Sequence, residues 1–128
     1  MSDKFTVEII SPDQTILKQE TSEVIIPSFE GQMGILNNHI PLITFLRPGI
    51  ITIKAEGEKR FYIEEGTVEF SNNNLLILTS TARDLVNLDK SKINELLQKV
   101  EANFNNQSTD KERYIASYKL ETLKEISQ

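Results

Sequence analysis

The side chains able to do chemistry are few, and they crowd into one stretch. Between Glu30 and Thr44 lie the only histidine, His39, two glycines, Gly31 and Gly34, and Pro41. Glu30 and His39 would make an acid–base pair if folding brought them together. Ser28 is the nearest upstream hydroxyl, and nothing around it resembles a nucleophile elbow. Gly31-x-x-Gly34 lacks the third glycine, the Lys-Ser/Thr pair and the following helix of a phosphate-binding loop. The glycines read instead as backbone turns, with Pro41 fixing the entry to a strand. Glu64-Glu65, Glu56 and Glu58 resemble solvated turn and strand-face carboxylates rather than the facing acids of a glycosidase. With no cysteine and one histidine, thiolate metal sites, disulfide frameworks, cysteine nucleophiles and multi-histidine metal sites are excluded. The expectation is a chain with no metal and no cofactor.

The whole chain has 128 residues, enough for one domain, or one compact domain with a small appendage. Its 14 basic and 19 acidic residues leave a net charge of −5, the wrong sign for a nucleic-acid footprint. No apolar run approaches the roughly 20 residues that span a bilayer. Any membrane link is therefore expected to run through a partner. Met1-Ser2-Asp3-Lys4-Phe5 lacks the apolar core of a signal peptide, and no transit-like segment follows. That favours a bacterial or organelle-encoded protein.

The elements that must position the dense stretch change character near residue 87. Residues 1–87 carry seven basic and twelve acidic groups, and residues 88–128 carry seven of each. The first part has strand periodicity. Phe5, Val7 and Ile9 alternate with polar residues, as do Ile51, Ile53 and Ala55, then Phe61 and Ile63, then Val68 and Phe70. Thr15 to Lys18 and Glu23 to Ile26 are shorter candidates. Leu75 to Leu78 is apolar on both faces, as in a central or sheet-sandwiched strand. Asn72-Asn73-Asn74 suits the positive φ of a tight hairpin, Gly66 a kink, and Arg47-Pro48-Gly49-Ile50 a type II turn. Short strands at this spacing predict a sandwich or barrel.

The second part has helix periodicity. After an N-cap at Leu88-Asp89, Ile93, Leu96, Leu97, Val100 and Phe104 fall within an arc of about 100°. Asn105-Asn106-Gln107-Ser108 interrupts. Thr109 and Glu112 fit a capping box for a second helix. Its stripe, Ile115, Ala116, Leu120, Leu123 and Ile126, is wider and includes Lys119, which must snorkel or meet an acid. The expected fold is a mainly β N-terminal sandwich over 1–87 plus a C-terminal antiparallel α-helical hairpin over 88–128. Pattern alone leaves open whether the hairpin docks permanently or moves.

The dense stretch also carries a resemblance. Gly31-Gln32-Met33-Gly34-Ile35-Leu36, then His39-Ile40-Pro41-Leu42-Ile43-Thr44, then Arg47-Pro48-Gly49 resembles the signature of the epsilon subunit of F-type ATP synthases, called delta in mitochondria. Phe5-x-Val7-x-Ile9-Ile10-Ser11-Pro12 is similar to that family's first strand and turn. Thr79-x-Thr81-Ala82 with Leu88-Asp89 is similar to its domain junction.

The resemblance implies a non-catalytic central-stalk rotor subunit on the cytoplasmic face of a bacterial inner membrane, or the equivalent face in an organelle. Its partners would be the gamma subunit, the ring of membrane c subunits and the alpha/beta catalytic head. Glu30, Gly31, Gln32, Met33, Gly34, His39 and Pro41 match the region that meets ring and gamma. Gln32 stands where some relatives have an acid, so a ring contact there would be a hydrogen bond. Exposed apolar side chains among Phe29, Met33, Ile40 and Phe45 are expected to widen the interface. The hairpin in this family inhibits ATP hydrolysis when extended, and Arg113, Lys119 and Lys124 are the basic side chains available to it. In some relatives ATP binds a motif Ile/Leu-Asp-x-x-Arg-Ala. The matching positions are Leu88, Asp89, Lys92 and Ile93, and the change of Arg to Lys and Ala to Ile would weaken that contact. The rival readings are a small β-sandwich module binding a peptide or sugar, and a hydrolase using His39 and Glu30.

Overall fold

A computed structural model describes residues 3–105 and 109–127, the side chains of 104 and 105 lying outside the description. Ten strands come first: β1 (Phe5–Ile10), β2 (Thr15–Thr21), β3 (Glu23–Ser28), β4 (Gly31–Leu36), β5 (Leu42–Leu46), β6 (Gly49–Lys54), β7 (Glu58–Ile63), β8 (Gly66–Ser71), β9 (Asn74–Leu78) and β10 (Arg83–Asp84). A 3-10 turn at Leu85–Asn87 leads to α1 (Lys90–Asn105) and α2 (Asp110–Ser127). The architecture is the expected β-sandwich followed by two helices. The interruption expected at 105–108 falls largely outside the described residues, as does the Phe104 side chain.

One layer runs β10-β7-β6-β3-β4 and the other β5-β8-β9-β1-β2. They join where Ser28 of β3 pairs with Leu46 of β5. β1 and β9 are parallel, and the other ladders are antiparallel. β4 pairs only with β3. The alternating residues meet between the layers: Val24, Ile26, Ile35, Ile51 and Ile53 from one, Phe5, Val7, Ile9, Phe70, Leu75 and Ile77 from the other, all buried. Phe5 and Phe70 meet edge to face, with ring centroids 5.7 Å apart.

Three local expectations are corrected. Gly49 does not take the positive φ of a type II turn. It opens β6, and a Cβ there would lie 2.5 Å from the Pro27 Cβ. Glycine is required for close strand approach rather than for the turn. Gly34 sits inside β4 opposite Ile25, not in a turn. β9 is a central strand, between β8 and β1, but not a sandwiched one: Leu75 and Ile77 enter the core, while Leu76 is half-buried and Leu78 is 44% exposed. By contrast, Asn72 (φ 50°) and Asn73 (φ 56°) make the two-residue hairpin between β8 and β9.

The helices cover the outer face of the β7 layer. Tyr62 of β7, fully buried, is the sandwich's contribution to a second apolar cluster. Val100 of α1 and Ala116 and Leu123 of α2 pack on it, with Leu85, Leu88, Leu96, Leu97, Leu120 and Ile126 around them. These members of the two stripes thus close on one another and on Tyr62. Asp89 caps α1, its Oδ1 accepting the Lys92 N–H at 2.8 Å. Thr109 caps α2, its Oγ1 accepting the Glu112 N–H at 3.1 Å.

Candidate functional site

The dense stretch folds as a hairpin tip, a strand and a loop, so its residues are spread along β4. At one end, the Ser28 hydroxyl donates to the Gly31 carbonyl at 2.7 Å and accepts the Glu30 N–H at 3.2 Å. Gly31 takes φ 119°, which suits glycine. This leaves the Glu30 side chain exposed at the tip and occupies the Ser28 hydroxyl. Gln32, exposed, looks into a small polar cleft shared with Arg47 of the β5–β6 turn and Glu121 and Glu125 of α2. Met33 is half-buried against the core, not exposed as expected.

At the other end, His39 and Pro41 lie in the loop between β4 and β5. The His39 N–H donates to the Leu36 carbonyl at 3.1 Å, and its Nδ1 bonds the Ile40 carbonyl at 2.7 Å. Its ring meets Phe70 edge to face at 5.8 Å. The six-residue strand between Glu30 and His39 is about 20 Å long. The two therefore form no acid–base pair.

Between those ends runs an exposed apolar band. Ile40 and Ile43 are each 74% exposed and Phe45 is 61% exposed, with Phe29 and Leu36 also open. Strand register places Phe45, Thr67, Leu78 and Ile10 side by side across the outer face of the β8 layer. Ile43 and Leu36 escaped sequence reading because a strand exposed on its apolar face looks, in pattern, like one buried on it.

The hairpin is held by a mixed set of contacts. The Arg47 guanidinium stacks 4.3 Å from the centre of the Tyr118 ring. Tyr118 also shares a hydroxyl–hydroxyl bond of 2.8 Å with Tyr114, which raises the Tyr114 pKa above its ordinary value. The Tyr62 hydroxyl donates to Glu64 at 3.1 Å. Burial pushes the Tyr62 phenol up, and the charge of Glu64 pushes it further. Lys119, the misplaced cation of the second stripe, reaches Glu64 at 4.0 Å. Arg113 and Lys124 are exposed. Leu88 packs in the Tyr62 cluster, Asp89 caps α1, Lys92 is exposed and Ile93 is buried. Sequence reading missed Arg47 and Tyr118, which stand far apart in the chain and share no pattern.

Comparison with known proteins agrees with this architecture. Residues 4–84 match the family described as ATP synthase, Delta/Epsilon chain, beta-sandwich domain. The chain is 45% identical to the ATP synthase epsilon chain of Pelagibacter ubique, over 99% of this chain and all of that one. It is 33% identical to the chloroplastic ATP synthase epsilon chain of Guillardia theta, over 89% of this chain and 88% of that one. A chain in the cryo-EM structure of Euglena gracilis mitochondrial ATP synthase, OSCP/F1/c-ring, shares the fold with a TM-score of 0.76 at 23% identity, over 97% of this chain and 79% of that one. A chain of the Tetrahymena thermophila mitochondrial ATP synthase central stalk and c-ring does so at 0.70 and 17%, over 96% of each. From full-length identity and the matching sandwich domain together, the chain belongs to the ATP synthase delta/epsilon family, among its epsilon chains.

Proposed function

We propose that the chain is a non-catalytic rotor subunit of an F-type ATP synthase, joining the gamma subunit to the c-ring so that ring rotation drives the alpha/beta head. The observation that carries this reading is the apolar band of Ile43, Phe45 and Leu78, on the layer opposite the docked hairpin. An open band of this kind on a small acidic sandwich calls for a protein partner. A broad contact over a close-packed sandwich resists the shear that torque imposes. Gamma covers the band, and the Glu30–Gln32 tip and the His39–Pro41 loop extend the contact at either end, with Met33 and Gly34 supporting it from β4. Gln32 offers the ring a hydrogen bond in place of a charge pair.

The sandwich over 1–87 acts as the coupling unit and the hairpin over 88–128 as the regulatory one. Docking ties Lys119 to Glu64, so release of the hairpin frees that cation for acidic segments of the head, beside Arg113 and Lys124. Leu88, Asp89 and Lys92 serve as the lead-in to α1 rather than as a nucleotide site, because the Asp89 carboxylate is engaged as a cap and Lys92 lacks the planar guanidinium fork of the motif's arginine. No described helix is long and apolar enough to cross a membrane. The chain stands on the cytoplasmic face of a bacterial inner membrane, or its organellar equivalent, through its partners.

Reconstitution with the gamma subunit of the same organism tests the reading. A stoichiometric complex is expected from the native chain, and the double variant Ile43→Asp, Phe45→Asp should lose it while melting normally, since both side chains already face water. A native chain that stays alone, or a double variant that still binds fully, refutes the assignment.

A further inference from the structure

The β4–β5 loop, Asn37 to Pro41, presents Ile40 to solvent, and its local bonds are few: one backbone turn bond from His39 to Leu36, and the His39 Nδ1 contact with the Ile40 carbonyl. Three further bonds come from one residue 35 or 36 positions away. The Asn73 Oδ1 accepts the Asn38 N–H at 2.8 Å. The Asn73 Nδ2 donates to Asn37 Oδ1 at 2.9 Å and to Asn38 Oδ1 at 3.1 Å. A backbone N–H can only donate, so the Asn73 amide is locked in this orientation, with its oxygen accepting and its Nδ2 donating. Asn73 is itself anchored. Its carbonyl accepts the Thr6 N–H of β1 at 3.2 Å, and the Ser71–Asn74 pair closes its turn. The left-handed conformations of Asn38 (φ 64°) and Asn73 (φ 56°) lie on the two sides of this junction.

We propose that Asn73 is a positioning residue for coupling: its side chain clamps the Asn37–Pro41 loop to the β8–β9 hairpin and so fixes where Ile40 and His39 meet the central-stalk partner. The proposal rests on the reading of that loop as partner-facing. Torque passing through a loop needs the loop to be stiff, and the clamp gives a five-residue connection the rigidity of the sheet beside it. The ring of His39 on Phe70 adds a second, apolar point of attachment on the same hairpin.

Asn73→Gly keeps a residue at ease with positive φ while deleting the clamp. Asn72→Gly makes the same change one position earlier, where the side chain does not reach the loop bonds, and is the control. The chain has no cysteine, so Ile40→Cys provides a single attachment point for a short cross-linker in the assembled synthase. In the isolated chain, Asn73→Gly should speed amide exchange at Asn38 about tenfold or more. In the synthase, it should cut the Ile40→Cys cross-link to gamma or the ring at least threefold, and Asn72→Gly should do neither. Faster exchange with an unchanged cross-link, or equal effects from the two glycine variants, overturns the positioning role. No cross-link from Ile40→Cys with Asn73 intact overturns the partner-facing reading, and the inference with it.

Discussion

Leu123→Ala tests whether the hairpin and the sandwich are separable units. Leu123 is fully buried and belongs to the Tyr62 cluster, which is distinct from the cluster between the sheets. Truncating a leucine in such a site costs about 2–5 kcal/mol, from lost transfer energy and the cavity left behind. The polar contacts across the same junction are smaller. The Lys119–Glu64 pair, at 4.0 Å with both side chains a quarter or more exposed, is worth about 0.2–1 kcal/mol. Arg47 over Tyr118 is worth about 0.5–1 kcal/mol. Apolar burial therefore dominates docking, and Leu123→Ala should lower the docking constant roughly thirty-fold to several-thousand-fold. Helices in proteins draw most of their stability from packing an apolar face, so once undocked their amides should open. Amide exchange followed by NMR would show α1 and α2 accelerating together while β1, β8 and β9 stay protected. Equal acceleration in β1 and β9, or none in the helices, would show that the two clusters form one cooperative unit and would refute the reasoning.

Two further outcomes follow from single contacts. The Tyr62 phenol is held above its ordinary value by burial and by Glu64, so docking strength is complete below about pH 10 and declines above it as the released state ionises. The decline reaches at most about 1.4 kcal/mol per pH unit. Unfolding scans from pH 8 to 11.5 should show Tyr62→Phe with a flatter profile, and an equally steep one would refute the assignment. Gly49→Ala drives a methyl group onto Pro27 and should cost about 1–3 kcal/mol, lowering the melting temperature by several degrees. Gly57→Ala, with nothing within 4 Å and an ordinary φ, should be near neutral, and equal melting of the two variants would count against the close-approach account.

What sequence could reveal divides along the range of the forces involved. Alternation in β1, β6 and β8, the caps at Asp89 and Thr109, and the asparagine turn were readable because neighbours in sequence decide them. The acidic partner required by Lys119 was also foreseeable in kind, though not as Glu64. β4 was not readable: two glycines and an exposed Gln32 mask a strand that pairing with β3 imposes. Gly49 looked like a turn residue because its true constraint, Pro27, lies 22 positions earlier. Arg47 over Tyr118 and Asn73 on Asn37 and Asn38 are likewise long-range, and composition gives no sign of either. Tyr62 alternated as an outer-face residue and does occupy the outer face. Only the docked hairpin makes that face an interior.

β4 has a bearing on how the chain behaves before assembly. It pairs on one side only, and its sequence, Gly31 to Leu36, contains no charge and no proline. Those are the devices that ordinarily keep a border strand from recruiting strangers. Freed of company, the chain offers an unguarded row of amides and carbonyls beside the exposed Leu36, and copies of it can add to one another there. Colloidal behaviour thus becomes a matter of timing: the apparent mass of the lone chain by light scattering should climb with concentration, and the interval between synthesis and capture is when it is most at risk.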